Sequence, residues 1–143
     1  MFKFLGKNIV YIIPAFGIFT KNWNFLGYYT FCEIINMSFK NLFKRILGDN
    51  SEWGQRPTNY PQDILVTGTY GMPSSHSQLI TFTFLYFAEW RIINFIILLN
   101  TCFYRIRDRY HTLPQIIVGQ IIAIAYYLLL KQWELVPEGE GLA

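Results

Sequence analysis

Apolar residues fall into five blocks along the chain, separated by short polar turns and by one long polar stretch. A helix of about 20 mostly apolar residues is long enough to cross a bilayer. The pattern therefore predicts an all-α fold, a polytopic membrane helical bundle with about five transmembrane helices. The predicted spans are residues 2–20, 25–43, 77–90, 92–104 and 114–130.

Polar residues modify the first two predicted spans. Two lysines and an asparagine shorten the apolar centre of the first span, and Pro14 is expected to kink it. We interpret this span as a retained anchor, because no clear small-residue cleavage site accompanies it. The second span carries Glu33 and Lys40, which predicts that one of its faces turns toward protein or water.

The long polar stretch at residues 44–72 has the composition of an extramembrane loop. With five crossings, this loop lies on the same side of the membrane as the short charged connection at residues 105–109. The two loops still share a side if the first span only rests on the membrane. We predict a single domain over residues 1–143, which ends in a polar tail at residues 134–143.

Composition supports a membrane protein and argues against other classes. Of the 143 residues, 52% are hydrophobic and 15% are charged, whereas soluble domains carry about a quarter charged residues. No basic groove with interleaved aromatic residues is recognisable, so no nucleic-acid partner is expected. Cys32 and Cys102 lie in apolar blocks and are interpreted as buried small hydrophobes, not as metal ligands or a disulfide.

Three polar clusters fall on the membrane side that the two loops share. The first is Arg56-Pro57 with Lys44 upstream, and the second is the stretch YGMPSSHSQ at residues 70–78. The third begins at Arg105 and includes His111 and Gln115. The chain has two histidines, and one lies in each of the last two clusters at the start of a predicted helix.

These residue types suit the cleavage of a phosphate ester or a diphosphate. Arginine pairs with two phosphoryl oxygens at once, so Arg56 and Arg105 are candidates for holding the phosphate. Pro73 suits a first helical turn, in which Ser74 and Ser75 would present amides and hydroxyls. Two histidines from opposite loops would supply a nucleophile and a proton donor. No carboxylate-rich cluster accompanies them, so we expect no metal or other cofactor.

The three clusters resemble the signature of the type 2 phosphatidic acid phosphatase (PAP2) superfamily. That signature is a lysine then Arg-Pro, then Pro-Ser-Gly-His, then Ser-Arg, five residues, His, three residues and Asp. Arg105, His111 and Gln115 have the spacing of the third motif. The serine in place of the motif glycine, the flanking Gly-Met and Ser-Gln, and Gln115 in place of the aspartate resemble the dolichyldiphosphatase branch. The resemblance covers roughly residues 44–119.

The resemblance implies a role for each matching residue. His111 would attack phosphorus and become a transient phosphohistidine, and His76 would protonate the leaving group. Gln115 would orient the imidazole of His111, and a carboxylate such as Asp108 or Asp63 would compensate for the missing negative charge. The groups implied to hold phosphoryl oxygens are Arg56, Arg105, Ser74 and the amides around Ser75 and His76. Either Lys44 or Arg45 would substitute for the first-motif lysine, whose place by spacing is occupied by Asp49.

The implied function is a metal-independent hydrolase of the endoplasmic reticulum membrane. It would convert polyprenyl (dolichyl) diphosphate to the monophosphate and so support dolichol-phosphate recycling for N-glycosylation, with membrane lipids as its surroundings. One alternative keeps the chemistry but changes the lipid to phosphatidic acid or another lipid phosphate. A second alternative is a non-catalytic membrane scaffold that binds a lipid phosphate without turnover.

Overall fold

The computed structural model describes residues 2–59, 68–87 and 90–136. Within these ranges there are five helices and no strand, apart from one isolated bridge between Gln55 and Tyr70. The all-α class predicted from the sequence is confirmed. The helices are α1 (Phe2–Phe19), α2 (Trp23–Leu47), α3 (Ser75–Tyr86), α4 (Arg91–Arg107) and α5 (Leu113–Gln132).

Helix α3 is the centre of the bundle and packs against each of the other four helices. Its side chains are buried on every face, as expected for a helix without a charged stripe. Phe82 is fully buried and stacks on Phe25 of α2, with 6.4 Å between ring centroids. Gln78 donates to the carbonyl of Cys32 at 2.8 Å and accepts from Asn36 at 2.7 Å. These contacts fix the rotation of α3 and therefore the direction of its first turn.

Helices α3 and α5 approach closely at the end where both begin. Ser74 donates its backbone N–H to the carbonyl of Gln115 at 3.0 Å. The hydroxyl of Ser77 lies 3.1 Å from the carbonyl oxygen of Ile116. Gly119 permits this approach, because a Cβ at that position would lie 2.6 Å from the carbonyl oxygen of Ser74. The two helix starts are therefore held side by side.

The start of α3 differs from the sequence prediction. Pro73 is not part of a helical turn, because α3 begins at Ser75 and Ser74 is its N-cap. The Ser74 hydroxyl accepts a hydrogen bond from the N–H of Ser77. Serine is a favoured N-cap because its side chain satisfies a backbone donor of the first turn, which a proline ring cannot do.

Helices α2 and α4 are longer than the sequence indicated. Helix α2 continues to Leu47, into the stretch predicted as loop, and α4 continues through Arg105 to Arg107, into the predicted connection. Both extensions carry basic residues in the last helical turn. The helix dipole stabilises cations in the last turn of a helix, so these basic residues are favourable within the helix and do not mark its end.

Helix α5 is the one helix in the described ranges that is both long and apolar enough to cross a membrane, and a shorter apolar stretch covers Asn8–Phe19 in α1. The predicted count of five spans is therefore not confirmed and stays a prediction. Part of the predicted tail, residues 137–143, lies outside the described residues. Large apolar side chains nevertheless point outward from several helices, among them Phe16, Ile18, Ile92, Ile93, Phe103, Ile121 and Leu128.

We expect Gly119→Ala to destabilise the fold by roughly 1–3 kcal/mol, because the added methyl group would push the start of α3 away from α5. Gly27→Ala on α2 is the matched control, since nothing lies within 4 Å of a Cβ at that position. Alanine favours the helix there by about 1 kcal/mol. Thermal unfolding in detergent compares the two variants. Unchanged stability of Gly119→Ala would contradict the close helix contact.

Candidate active site

The loop after α4 places His111 by means of a Schellman motif, a common way to end a helix. The N–H of Tyr110 donates to the carbonyl of Arg105 at 3.0 Å, and the N–H of Arg109 donates to that of Ile106 at 3.0 Å. Arg109 adopts the left-handed conformation that this motif requires, with φ of 58°. His111 also donates its N–H to the Arg105 carbonyl at 3.0 Å. The sequence spacing from Arg105 to His111 is therefore the length of this turn.

The imidazole of His111 is buried and has a partner on each ring nitrogen. Nδ1 lies 3.1 Å from Oε1 of Gln115, and Nε2 lies 3.2 Å from Nη1 of Arg56. A guanidinium can only donate, so Nε2 must accept, and an amide oxygen can only accept, so Nδ1 must carry the hydrogen. The partners therefore select the neutral tautomer with its lone pair on Nε2, which is the form that a nucleophilic histidine needs.

The amide of Gln115 is fully buried, and backbone groups fix which way it points. Its Nε2 lies 2.6–3.4 Å from the carbonyl oxygens of residues 53–55. Its Oε1 accepts the N–H of Thr112 at 3.2 Å, in addition to facing His111. Gln115 therefore lies where it orients the imidazole. It also ties the segment that precedes Arg56 to the start of α5.

Arg56 connects the first predicted cluster to the third. Its Nη1 donates to the carbonyl of Tyr110 at 2.7 Å, beside the contact with His111. The backbone at Gly71 packs directly against the side chains of Arg56 and Gln115. A Cβ at position 71 would lie 2.5 Å from Oε1 of Gln115 and 3.0 Å from Cγ of Arg56, so only glycine permits this contact. The guanidinium is thereby held against the nitrogen of His111 that carries the lone pair.

His76 reaches the same place from the first turn of α3, where it is half-buried. The positive charges of Arg105 and Arg56 and the ring of His111 all act on its imidazole. The structure thus brings together the two histidines and the two arginines singled out in the sequence. Arg56 comes from the loop after α2 and His76 from the start of α3. Arg105 comes from the last turn of α4, and His111 from the turn that follows it.

The two serines before His76 already have protein partners. The hydroxyl of Ser74, which is fully buried, accepts from the N–H of Ser77 at 3.4 Å. The hydroxyl of Ser75 donates to the carboxylate of Glu33 in α2 at 2.5 Å. In this arrangement both hydroxyls position the start of α3. Their predicted part in binding phosphate stays a prediction.

Arg105 and burial together keep both histidine rings uncharged. The guanidinium of Arg105 is buried and lies over the ring of Tyr110, with its Cζ 4.6 Å from the ring centroid. Burial lowers the pKa of His111 well below its usual value, and the charges of Arg56 and Arg105 lower it further. Burial and then the charge of Arg105 lower the pKa of His76 in the same way. Both rings are therefore neutral at pH 7 when no anion is bound.

Lys44, the predicted substitute for the first-motif lysine, lies in the last turn of α2. Its Nζ is 3.4 Å from Oδ1 of Asp49, and both side chains are largely exposed. Of the carboxylates suggested as compensation for Gln115, Asp108 pairs with Arg107 at 2.9 Å. Asp63 lies outside the described residues.

Two features of the site were not predicted. Lys40 of α2 lines a polar cavity of about 480 Å³ together with Lys44 and Arg56. A charged residue inside an apolar block was the available signal for Lys40. The carbonyl oxygens of residues 53–55 hold the Gln115 amide, and no sequence signal marks them because every residue carries a carbonyl.

This arrangement suits the transfer of a phosphoryl group. The imidazole of His111 is neutral, and the guanidinium of Arg56 contacts it at 3.2 Å. Arg105 and the second imidazole, that of His76, interact with it electrostatically. Groups of these kinds can serve as nucleophile, phosphate ligands and proton donor. In the described ranges, no three His, Cys, Asp or Glu side chains are grouped as ligands for a metal ion. The mechanism without a metal stays a prediction.

Comparison with known proteins identifies the class to which this site belongs. The sequence profile of the PAP2 superfamily matches residues 22–136, a range that includes all three clusters. The chain therefore belongs to the PAP2 superfamily, which confirms the resemblance noted in its motifs.

One similar protein is the dolichyldiphosphatase of Saccharomyces cerevisiae, which is 32% identical over 108 residues. The alignment covers 62% of this chain and 43% of the yeast protein, so the chain spans less than half the length of that relative. No solved structure matches the chain.

We expect Gln115→Glu to destabilise the protein by roughly 2–4 kcal/mol, because a carboxylate cannot donate to the carbonyls of residues 53–55 and would lie against their oxygens. Gln132→Glu, at the exposed end of α5, makes the same chemical change and should shift stability by less than about 0.5 kcal/mol. Denaturation of both variants in the same detergent provides the comparison. If Gln115→Glu were as stable as the wild type, the hydrogen bonds from the Gln115 amide to the carbonyls of residues 53–55 would not stabilise the fold.

We expect neither histidine ring to be protonated in the ligand-free protein at pH 6, where an unfolded histidine is mostly charged. Because the folded-state pKa values are lowered, the unfolded chain binds more protons below about pH 6.5, and stability falls as the pH falls. The chain has two histidines, so ¹⁵N NMR of histidine-labelled protein resolves both rings and their tautomers. Protonation of either ring at pH 6 would contradict the neutral pair.

Proposed function

We propose that this chain is a membrane-embedded phosphatase that removes the terminal phosphate of a polyprenyl (dolichyl) diphosphate and leaves the lipid monophosphate. The observation that carries the proposal is the neutral imidazole of His111, whose Nε2 lies 3.2 Å from Arg56. Membership of the PAP2 superfamily supports a phosphatase, and the name of the yeast relative supports a lipid diphosphate as substrate.

In the first step, Arg56 exchanges its hydrogen bond to Nε2 of His111 for one to a phosphoryl oxygen, and the lone pair freed on Nε2 attacks the terminal phosphorus. The bond from phosphorus to the bridging oxygen breaks, and His76 gives its proton to the departing lipid phosphate. Because His76 is neutral without an anion, the bound diphosphate must raise its pKa so that the ring takes up a second proton from solvent before it acts as an acid. Arg56 and Arg105 hold the phosphoryl oxygens, with Lys44 and the amides around Ser75 as further donors.

In the second step, water attacks the phosphorus of the phosphohistidine. The bond from phosphorus to Nε2 breaks, His76 takes the proton of the water, and inorganic phosphate leaves. The hydrogen on Nδ1 of His111 stays in place throughout, because Oε1 of Gln115 accepts it. No metal takes part in this mechanism, which the chain's own histidines and arginines carry out.

The outward-facing apolar side chains support a membrane location. Phe16 of α1, Ile92 of α4 and Ile121 of α5 are each more than half exposed, at 52%, 78% and 58%. Apolar surface of this extent needs a cover, and lipid tails provide it. We propose that the helices span the bilayer beyond the His76–His111 end, with the lipid substrate along them and its head group in the site.

We propose the endoplasmic reticulum membrane as the location and dolichol-phosphate recycling for N-glycosylation as the role. Both rest on the resemblance of the motifs to the dolichyldiphosphatase branch. The name of the yeast relative, of which the alignment covers 43%, supports only the dolichyl diphosphate substrate. Phosphatidic acid remains the alternative substrate within the same chemistry. A scaffold that binds lipid phosphate without turnover remains the alternative outside it.

Phosphate release from a polyprenyl diphosphate in detergent, with a chelator present, tests this proposal. We expect His111→Ala to abolish release and His76→Ala to slow it by about 10²–10⁴-fold, the usual contribution of a general acid. A ³²P label from the terminal phosphate should be trapped as acid-labile phosphohistidine in His76→Ala but not in His111→Ala. Arg107→Ala is the control, because this arginine is half-exposed and pairs with Asp108.

Each alternative has its own outcome in the same assay. Faster release of phosphate from phosphatidic acid than from the polyprenyl diphosphate would indicate that phosphatidic acid is the substrate. Lipid binding without release by the wild type would indicate a scaffold. Activity lost on chelation and restored by a metal would remove the mechanism described above.

A further inference from the structure

We propose that Glu33 of α2 is a positioning residue for His76. Its carboxylate holds the hydroxyl of Ser75 and so fixes the first turn of α3, which carries His76 into the site. The inference deepens the proposed function and rests on it. It also assigns a role to the serine that occupies the glycine position of the second motif.

Glu33 is a half-buried carboxylate in the middle of the second apolar block. Its Oε2 accepts the hydroxyl of Ser75 at 2.5 Å, a distance typical of a hydrogen bond to a charged oxygen. The positive charge of Lys40, two turns further along α2, also acts on this carboxylate. A charged group among apolar side chains is costly unless such partners satisfy it. The two interactions therefore allow α2 to carry a carboxylate on the face that meets α3.

A second polar contact joins the same two helices. Asn36 of α2 and Gln78 of α3 are both fully buried, and the Asn36 amide donates to Oε1 of Gln78 at 2.7 Å. They lie three residues after Glu33 and Ser75, respectively. Because hydrogen bonds are directional, two such contacts prevent α3 from rotating or sliding on α2. The contact of Glu33 is the one made by the residue that precedes His76, so it has the more direct effect on the placement of that ring.

The hydroxyl of Ser75 carries one proton, and the carboxylate of Glu33 accepts it. While this contact lasts, the hydroxyl cannot donate to a phosphoryl oxygen. Loss of either partner would leave the other half-buried without this hydrogen bond and would remove one constraint on the first turn of α3. In the proposed mechanism His76 gives a proton to the leaving group and takes one from water, so its displacement would slow both steps.

A double-mutant cycle with Glu33→Leu and Ser75→Ala tests this pairing in the full chain in detergent, through phosphate release from a polyprenyl diphosphate. We expect each single variant to lower kcat about ten- to hundredfold, as when a reacting group is slightly misplaced. Because both changes remove the same contact, kcat of the double variant should lie within about threefold of that of the slower single variant. Losses that multiply in the double variant would contradict the pairing.

Ser38→Ala on α2 is the matched control for the loss of a serine hydroxyl. Ser38 is exposed, and its hydroxyl donates to the carbonyl of Ile34 in its own helix at 2.9 Å, so the change should alter kcat less than about twofold.

Phosphohistidine labelling separates a positioning role from a merely structural one. A displaced His76 slows hydrolysis of the phosphohistidine on His111, so both single variants should accumulate more ³²P label from the terminal phosphate than the wild type does. A variant that merely unfolds part of the protein would accumulate less label. Less label in Ser75→Ala than in the wild type would therefore refute the positioning role.

¹⁵N NMR of histidine-labelled protein gives a readout that does not depend on turnover. We expect the ring signals of His76 to shift in both single variants and those of His111 to stay, because His111 has its own partner on each ring nitrogen. Unchanged His76 signals, or equal shifts of both rings, would overturn the inference. If Glu33→Leu does not fold, Ser75→Ala, which removes only a hydroxyl, decides the question. A wild type that releases no phosphate, while the variants still shift His76 alone, would instead count against the proposed function.

Discussion

The contact between the starts of α3 and α5 is the constraint on which the site depends. The N–H of Ser74 meets the carbonyl of Gln115 at 3.0 Å, and Gly119 leaves room for this contact. Helix α3 begins one residue after Ser74, and His76 lies in its first turn, while His111 precedes α5 by two residues. Any separation of the two helix starts therefore separates the two histidines. The placement of these two candidate residues therefore depends on backbone packing.

The charges around the histidines form a site that is incomplete without an anion. Arg56, Arg105 and Lys40 all act on rings that burial keeps neutral. Grouped cations repel one another in a partly buried site, and a bound polyanion relieves that repulsion. In the proposed mechanism, binding and chemistry are therefore coupled, because the same anion that satisfies the cations also lets His76 take up a proton.

The sequence predicted those parts of the site that local structure determines. The spacing of Arg105 and His111 reflects one helix-ending turn, and the serines before His76 mark a helix start. Lys40 and the carbonyls that hold Gln115 depend instead on how α2 and the loop after it pack against α3 and α5. That packing follows from the burial of side chains far away in sequence, such as Phe82, so no local sequence pattern predicts it.

The amide at position 115 also bears on the kind of substrate. A carboxylate there would stabilise the cationic ring that forms when His111 accepts a phosphoryl group, but it could not donate to the carbonyls of residues 53–55. Gln115 donates to these carbonyls and so holds the segment that carries Arg56. The negative charge that the ring then lacks must come from the substrate. Under the proposed function, an amide at this position fits a head group that carries more negative charge than a phosphate monoester.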